Sequence, residues 1–141
     1  MAPAFPISVS LLTAVGVQLA CQAFKVVLYS LRERRLAFSW FVSAGGMPSA
    51  HSAFVTALSV SVGLWSGFGS DVFAVACVFS VIIIYDSWRL RGAVQQHAKA
   101  LAKLKVGSFN ENIGHTLIEI AAGIIAGGAL AGAAFVLIHG L

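Results

Sequence analysis

Four long apolar stretches limit the folds that this chain can adopt. They cover approximately residues 7–31, 49–68, 72–88 and 113–138. Apolar segments of about 20 residues can cross the hydrocarbon core of a membrane as helices. Of the 141 residues, 59% are hydrophobic and 10% are charged, too few polar residues to cover a soluble domain. We therefore predict an all-α integral membrane bundle of about four transmembrane helices, forming one domain over residues 1–141.

The basic residues indicate how this bundle is oriented. All nine lysines and arginines fall in segments 25–35 and 89–105, which lie on the same side of a four-span protein. The positive-inside rule places these segments in the cytoplasm and both termini outside. The isoelectric point near 9.5 is therefore better explained by an anionic membrane surface than by nucleic acid. The N-terminus lacks a charged n-region, so we expect no cleaved signal peptide.

Segment 92–105 has a mixed character that distinguishes it from the four apolar stretches. Alanine, valine and leucine alternate with glutamine and lysine at helical spacing, which is typical of an amphipathic helix at a membrane surface. A continuation of the third span into water fits the pattern equally well. We expect a short loop at 106–112.

The last apolar stretch is rich in glycine. Gly123 and Gly127 are four residues apart, as are Gly128 and Gly132. Small residues at this spacing allow helices to approach closely. They could serve packing within the bundle or a homo-oligomer.

Polar side chains gather at the cytoplasmic ends of all four spans, where buried charge is costly and often functional. Chance would scatter such residues, so their common level predicts a site. The members are Lys25 on the first span, Ser49, His51 and Ser52 on the second, Asp86 and Arg91 on the third, and His115 and Glu119 on the fourth.

Segment 45–49, with the sequence GGMPS, leads into the second span. Backbone N–H groups at such a helix start attract anions, and Ser49 and Ser52 add hydroxyl donors. Ser49 could equally be only the helix cap. His51 lies in the first turn, where it could transfer protons or be merely structural.

His115 and Glu119 are separated by one helical turn. The carboxylate could orient the imidazole and raise its nucleophilicity. The pair could also ligate a metal or form an ordinary capping interaction. Lys25, Arg91 and one arginine of the 32–35 cluster would supply positive charge for a phosphate.

These blocks together resemble the divergent PAP2 family, which is related to type 2 phosphatidic acid phosphatases and vanadium haloperoxidases. The resemblance rests on GGMPSAHS at 45–52, Tyr85-Asp86, Arg91 and GHTLIE at 114–119, and it extends from Lys25 to Gly127. The first motif is specific, and the later ones are short but occur in the family's order.

The resemblance implies a role for each motif residue. Gly46 and Ser49 would bind phosphate, with Ser52 and Lys25 beside them. His51 would protonate the leaving group, His115 would attack phosphorus, and Glu119 would orient His115 in place of the usual aspartate. The arginine that accompanies Lys25 is either Arg32, which fits the main family's spacing, or Arg34, which fits the divergent pattern.

The sequence also departs from the wider family's motifs. Ala50 replaces a glycine, and Ser108-Phe109 stands where a Ser-Arg pair is usual. Arg91 is our candidate for the missing arginine. We expect no cofactor, although Asp86 could bind a divalent cation such as Mg²⁺ or pair with Arg91.

The function that follows is hydrolysis of a lipid phosphomonoester at a cytoplasm-facing site. The best candidate substrate is phosphatidylglycerol phosphate, with phosphatidic acid and isoprenoid phosphates or pyrophosphates as alternatives. The competing hypothesis is a membrane protein without enzymatic activity, such as an anion carrier, that uses the same polar residues to bind phosphate.

Overall fold

The protein is a bundle of helices. The computed structural model describes residues 7–107, 109 and 113–140, and these ranges contain no β-strand. A short 3₁₀ helix, Phe38–Phe41, lies between the first two α-helices. The α-helices are α1 (Val9–Glu33), α2 (Ala50–Ser66), α3 (Asp71–Trp88), α4 (Leu90–Lys103) and α5 (Leu117–His139). The all-α prediction is therefore confirmed.

Helix α2 forms the centre of the bundle and packs against α1, α3 and α5. Its inward positions carry small side chains, among them Ala53 and Ala57, both of which are fully buried. Small side chains let the neighbouring backbones approach α2 closely, so the bundle is held by close packing. The start of α2, which carries Ser49 and His51, consequently lies among the other helices.

Three helical runs are long and apolar enough to cross a membrane: Val9–Glu33, Asp71–Lys103 and Leu117–His139. Their outer surfaces expose many large apolar side chains, such as Val72 and Phe79 on α3, as expected where a helix faces lipid. Helix α2 has only 17 residues. The integral membrane character is thus supported, and a fourth span through α2 stays a prediction.

Helix α4, the second part of the run Asp71–Lys103, differs from the separate surface helix that we considered. The N–H of Arg89 donates to the carbonyl of Tyr85 at 2.8 Å, and the N–H of Ala93 donates to the carbonyl of Arg89 at 3.0 Å. Helical hydrogen bonding therefore continues from α3 into α4. This geometry favours the alternative in which α4 extends the third span.

Helix α5 begins four residues later than the sequence pattern predicted. Thr116 caps it, because the Thr116 hydroxyl accepts the N–H of Glu119 while the Glu119 carboxylate accepts the N–H of Thr116. This reciprocal pair of hydrogen bonds is a capping box, which fixes the start of the helix after an extended segment. His115 therefore precedes the helix. Glu111, which precedes this helix in the sequence, lies outside the described residues.

Two glycines of α5 are used for packing inside the chain. A Cβ atom on Gly123 would collide with the carbonyl oxygen of Ser49, and one on Gly127 would collide with that of Ala53. Gly132 has open space at the same position. The first pair of glycines thus serves the α2–α5 contact, and a homo-oligomer through the rest of the helix stays a prediction.

Candidate functional site

A cavity of about 380 Å³ opens at the end of the bundle where the basic residues lie. Residues from α1, α3, α4, α5 and the two connecting segments form its wall, so it depends on the whole fold. Its lining comprises Tyr29, Trp40, Gly46, Trp88, Gly92, Gln95, Gln96, Lys99, Gly114, His115, Thr116 and Glu119.

His115 is held in this wall in a defined orientation. Its backbone N–H donates to the carbonyl of Ser87 at 3.3 Å, and its Nδ1 lies 3.2 Å from Oε2 of Glu119. The ring is buried, and its Nε2 makes no hydrogen bond of good geometry among the described residues, although the backbone of Ala44 lies close enough to the ring to raise its pKa. A buried nitrogen without a partner is uncommon and calls for a ligand or a chemical role. With Nδ1 facing the carboxylate, Nε2 is the nitrogen available to react.

The surroundings of His115 keep it in the form that can act as a nucleophile. Burial lowers the pKa of His115 below its usual value, and the hydrogen bond and negative charge of Glu119 raise it in opposition. The effect of burial is the larger, so the ring is neutral near pH 7. A neutral imidazole carries the free lone pair that nucleophilic attack requires.

The glycine-rich segment before α2 contributes Gly46 to the cavity wall. Gly46 has φ of +88°, and an added Cβ would lie 2.8 Å from Cζ3 of Trp40 and 3.0 Å from the Tyr29 hydroxyl. Only glycine adopts such a backbone freely. The Tyr29 and Trp40 rings stack with centroids 3.6 Å apart, so the segment lies directly against an aromatic wall.

Ser49 and Ser52 lie behind this segment and are fully buried. Ser49 caps α2, because its Oγ accepts the N–H of Ser52 at 3.3 Å. The two hydroxyls are 3.0 Å apart. Ser49 therefore does cap α2. This role does not prevent the hydroxyl of Ser49 or Ser52 from also binding a ligand.

Lys25 is fully buried, and its ammonium group contacts the glycine-rich segment. Its Nζ donates to the carbonyl of Gly45 at 3.0 Å and lies 3.5 Å from that of Ser43. Its charge also acts on His115 and Glu119. A buried ammonium needs such partners, so Lys25 fixes the segment while placing a positive charge beside the site.

His51 lies where several predicted residues meet. Its Nδ1 is buried without a hydrogen-bond partner in the described part of the chain. The charges of Arg91, Lys25 and Asp86 and the ring of His115 all act on it. The fold therefore brings residues that are far apart in sequence into one electrostatic environment.

Arg91 and Asp86 form an ion pair at the edge of this group. Nε of Arg91 lies 3.0 Å from Oδ2 of Asp86, and both side chains are about one-third exposed, at 35% each. No group of three or more His, Cys, Asp or Glu side chains within the described ranges is arranged to hold a metal ion. Pairing with Arg91, one of our two interpretations of Asp86, is thus what the structure contains.

The arginines at the end of α1 and just after it lie outside the cavity lining. Arg34 is exposed and adopts a left-handed conformation that ends α1, with its N–H bonded to Ser30. Arg35 pairs with Glu33 at 2.8 Å. The Arg32 guanidinium lies 5.6 Å from the centroid of the Tyr29 ring, a residue of the cavity wall, so Arg32 is better placed than Arg34 to approach a ligand.

Helix α4 adds residues that sequence reasoning did not include in the site. Lys99 is the only lysine or arginine in the cavity lining, and Gln95 and Gln96 lie beside it. The Gln95 side-chain oxygen accepts the N–H of Gly114 at 2.9 Å, which joins α4 to the segment carrying His115. The glutamines and lysines of segment 92–105 were the available signal for these cavity residues. The sequence pattern instead indicated the polar face of a helix at the membrane surface.

Comparison with known proteins identifies related sequences. The sequence profile described as the divergent PAP2 family matches residues 8–130. A relative in Bacillus subtilis (strain 168), an uncharacterized membrane protein named YuiD, is 38% identical over 96 residues. That match covers 68% of this chain and 61% of the relative's length. No solved structure matches.

Proposed function

This chain belongs to the divergent PAP2 family, and we propose that it is a membrane phosphatase that removes the phosphate from a lipid phosphomonoester. The observation that carries the proposal is the pair of buried imidazole nitrogens, Nε2 of His115 and Nδ1 of His51, that lack hydrogen-bond partners among the described residues. They come from separate segments, and the ring of His115 acts electrostatically on His51. A phosphoryl group between them would give both nitrogens a partner.

The first chemical step forms a phosphohistidine. The lone pair of His115 Nε2 attacks phosphorus, and the bond from phosphorus to the lipid oxygen breaks. Protonated His51 gives its proton to that oxygen, so the lipid leaves as an alcohol. Glu119 holds the ring of His115 by Nδ1 and stabilises the positive charge that develops on it.

The second step regenerates the protein. His51 is now neutral and accepts a proton from a water molecule, while the oxygen of that water attacks phosphorus. The bond between phosphorus and Nε2 breaks, its electron pair returns to His115, and inorganic phosphate is released. Lys25, Arg91 and the N–H groups at the start of α2 stabilise the charge on the phosphoryl oxygens.

The position of the cavity supports a lipid substrate made on the cytoplasmic side. The cavity lies at the end of the bundle that carries the nine lysines and arginines, which the positive-inside rule assigns to the cytoplasm. A lipid can present its headgroup there without leaving the bilayer. Phosphatidylglycerol phosphate, a phosphomonoester on a lipid headgroup, is the first substrate to test.

The test is phosphate release by purified protein from a panel of phosphatidylglycerol phosphate, phosphatidic acid and isoprenoid phosphates, with and without a chelator. His115→Ala should lower the rate by about 10³-fold or more, because the nucleophile is lost. His51→Ala should lower it by about 10²–10⁴-fold. His97→Ala is the matched control, since His97 is exposed on α4 and outside the cavity lining.

The alternative is a phosphate-binding or carrier protein without catalytic activity. Turnover that disappears in His115→Ala and His51→Ala but persists in His97→Ala would support the phosphatase. Folded wild-type protein that binds a lipid phosphate but releases no phosphate from any member of the panel would overturn it and favour the carrier.

A further inference from the structure

An apolar groove runs along the outside of the bundle directly below the glycine-rich segment. Its volume is about 310 Å³, and every residue that lines it has an apolar side chain. The lining residues are Ala20, Cys21, Phe24, Pro48, Ala126 and Leu130. It therefore belongs to the apolar part of the molecule, at membrane depth.

The groove continues the candidate active site along the same three parts of the chain. On α1, Cys21 in the groove lies one helical turn before buried Lys25. On α5, Ala126 lies about two turns after Glu119, on the same helix face. In the connecting segment, Gly46 lines the cavity and Pro48 lines the groove.

A second apolar groove provides a comparison. It has a volume of about 340 Å³ and lies between α2 and α3, where Val55, Ala76 and Phe79 contribute to its wall. Neither α1, α5 nor the glycine-rich segment contributes to it. It is similar in volume to the first groove and apolar apart from Ser80, but it lacks the connection to the cavity.

We propose that the groove between α1 and α5 holds one hydrocarbon chain of the lipid whose phosphate occupies the cavity. This inference rests on the proposed function for the identity of the headgroup. A chain lying there would descend into the bilayer beside Pro48, while the headgroup remained at the level of His115. The glycine-rich segment would then contact both parts of one lipid.

The occupant is the substrate's own chain because of how the groove is placed. Bulk lipid would fill any exposed apolar groove of a membrane protein, including the one between α2 and α3. Of the two grooves, only the α1–α5 groove adjoins, through the glycine-rich segment, a polar cavity whose lining includes Lys99. A single lipid molecule carries both an apolar chain and an anionic headgroup.

The first experiment measures occupancy without turnover. His115→Ala protein, which lacks the proposed nucleophile and so leaves the phosphate in place, is reconstituted with phosphatidic acid that carries a diazirine in its acyl chain, or with the matching diacylglycerol, and cross-linked peptides are identified by mass spectrometry. Cross-links to Phe24 and Leu130 should be several-fold more frequent with phosphatidic acid, whereas cross-links to Phe79 in the other groove should be equal. Equal labelling of Phe24 and Leu130 by both lipids would mean bulk lipid only and overturn the proposal.

The second experiment fills the groove. Ala126→Phe should lower kcat/KM for a long-chain lipid phosphate by about tenfold, because a displaced chain misplaces the phosphate. The same variant should leave kcat/KM for a short, water-soluble phosphomonoester unchanged. Ala76→Phe, in the other groove, should change neither. Equal losses on both substrates in Ala126→Phe, with Ala20→Leu behaving in the same way, would overturn the proposal.

The two experiments also separate this inference from the proposed function. Absence of turnover on every lipid, together with phosphate-dependent cross-linking at Leu130, would reject the phosphatase and leave the lipid site. Hydrolysis of a lipid phosphate, together with equal cross-linking of Phe24 and Leu130 by phosphatidic acid and diacylglycerol, would reject the proposed chain-binding role of the groove and leave the phosphatase proposal standing.

Discussion

The backbone N–H of Ser49 donates a hydrogen bond to the carbonyl oxygen of Glu119, with an N···O distance of 3.0 Å. This bond joins the residue that caps α2 to the residue that orients His115 by its carboxylate. The two halves of the candidate site are therefore connected through the main chain. A side-chain change in one half leaves the position of the other half largely intact, which makes single substitutions informative.

The pH dependence should report on His115. Attack requires its neutral ring, so activity should fall as the pH decreases through the pKa of His115, and the acid limb should lie below about 6.5 because burial lowers that pKa. Glu119 raises this pKa. Glu119→Gln should therefore move the acid limb to still lower pH and reduce kcat by roughly tenfold or more, since ring orientation is weakened.

The measurement is the pH profile of kcat/KM for wild type and variant on one substrate, so that ionisation of the phosphate affects both equally. Asp71→Asn, which removes a carboxylate from the first turn of α3, at the end of that helix away from the cavity, is the control and should leave the profile unchanged. Movement of the acid limb to higher pH in Glu119→Gln would contradict the assigned role.

Lys99 should contribute to substrate binding from α4. It lines the cavity, and an ammonium group there can form a charge-assisted hydrogen bond to a phosphate. Lys99→Gln should lower kcat/KM by roughly tenfold, equivalent to one such bond. Lys103→Gln, one turn further along and outside the cavity lining, should have little effect; equal effects in steady-state kinetics would assign the loss to overall surface charge.

The contact between α2 and α5 should tolerate no added volume at Gly127. Gly127→Leu would place a side chain against the backbone of Ala53, and overpacking of this kind costs about 1–3 kcal/mol or more. We expect a lower apparent Tm in a fluorescence thermal-shift assay in detergent. Gly132→Leu is the comparison because the space around Gly132 is open; a Tm decrease confined to Gly132→Leu, or larger there, would point to an oligomer contact instead.

The proposed orientation can be tested by cysteine labelling. In a background of Cys21→Ala and Cys77→Ala, a membrane-impermeant maleimide should label Gly69→Cys from outside intact cells, and should label Ser39→Cys only in inverted vesicles. Ser39 is exposed, and an added Cβ at Gly69 meets no atom within 4 Å. The opposite labelling pattern would place the cavity on the outer side of the membrane.

Several features follow from the sequence alone because they depend on local composition. Helix formation in the apolar stretches requires that backbone groups be satisfied within each segment, so the helical class and the approximate limits of α1, α2 and α3 could be predicted. The motif at 45–52 and the later residues of the family pattern also predict His51, His115 and Glu119 as members of one site.

Other features depend on which surfaces meet, and sequence periodicity does not encode these. The helical pattern placed His115 inside the last helix, whereas Thr116 caps that helix and leaves His115 in an extended segment, still within 3.2 Å of Glu119. Lys99 enters the cavity wall because α4 continues α3 over the site. The sequence thus determined which chemical groups are present, while close packing of α1, α2 and α5 around small residues decided which of them face one another.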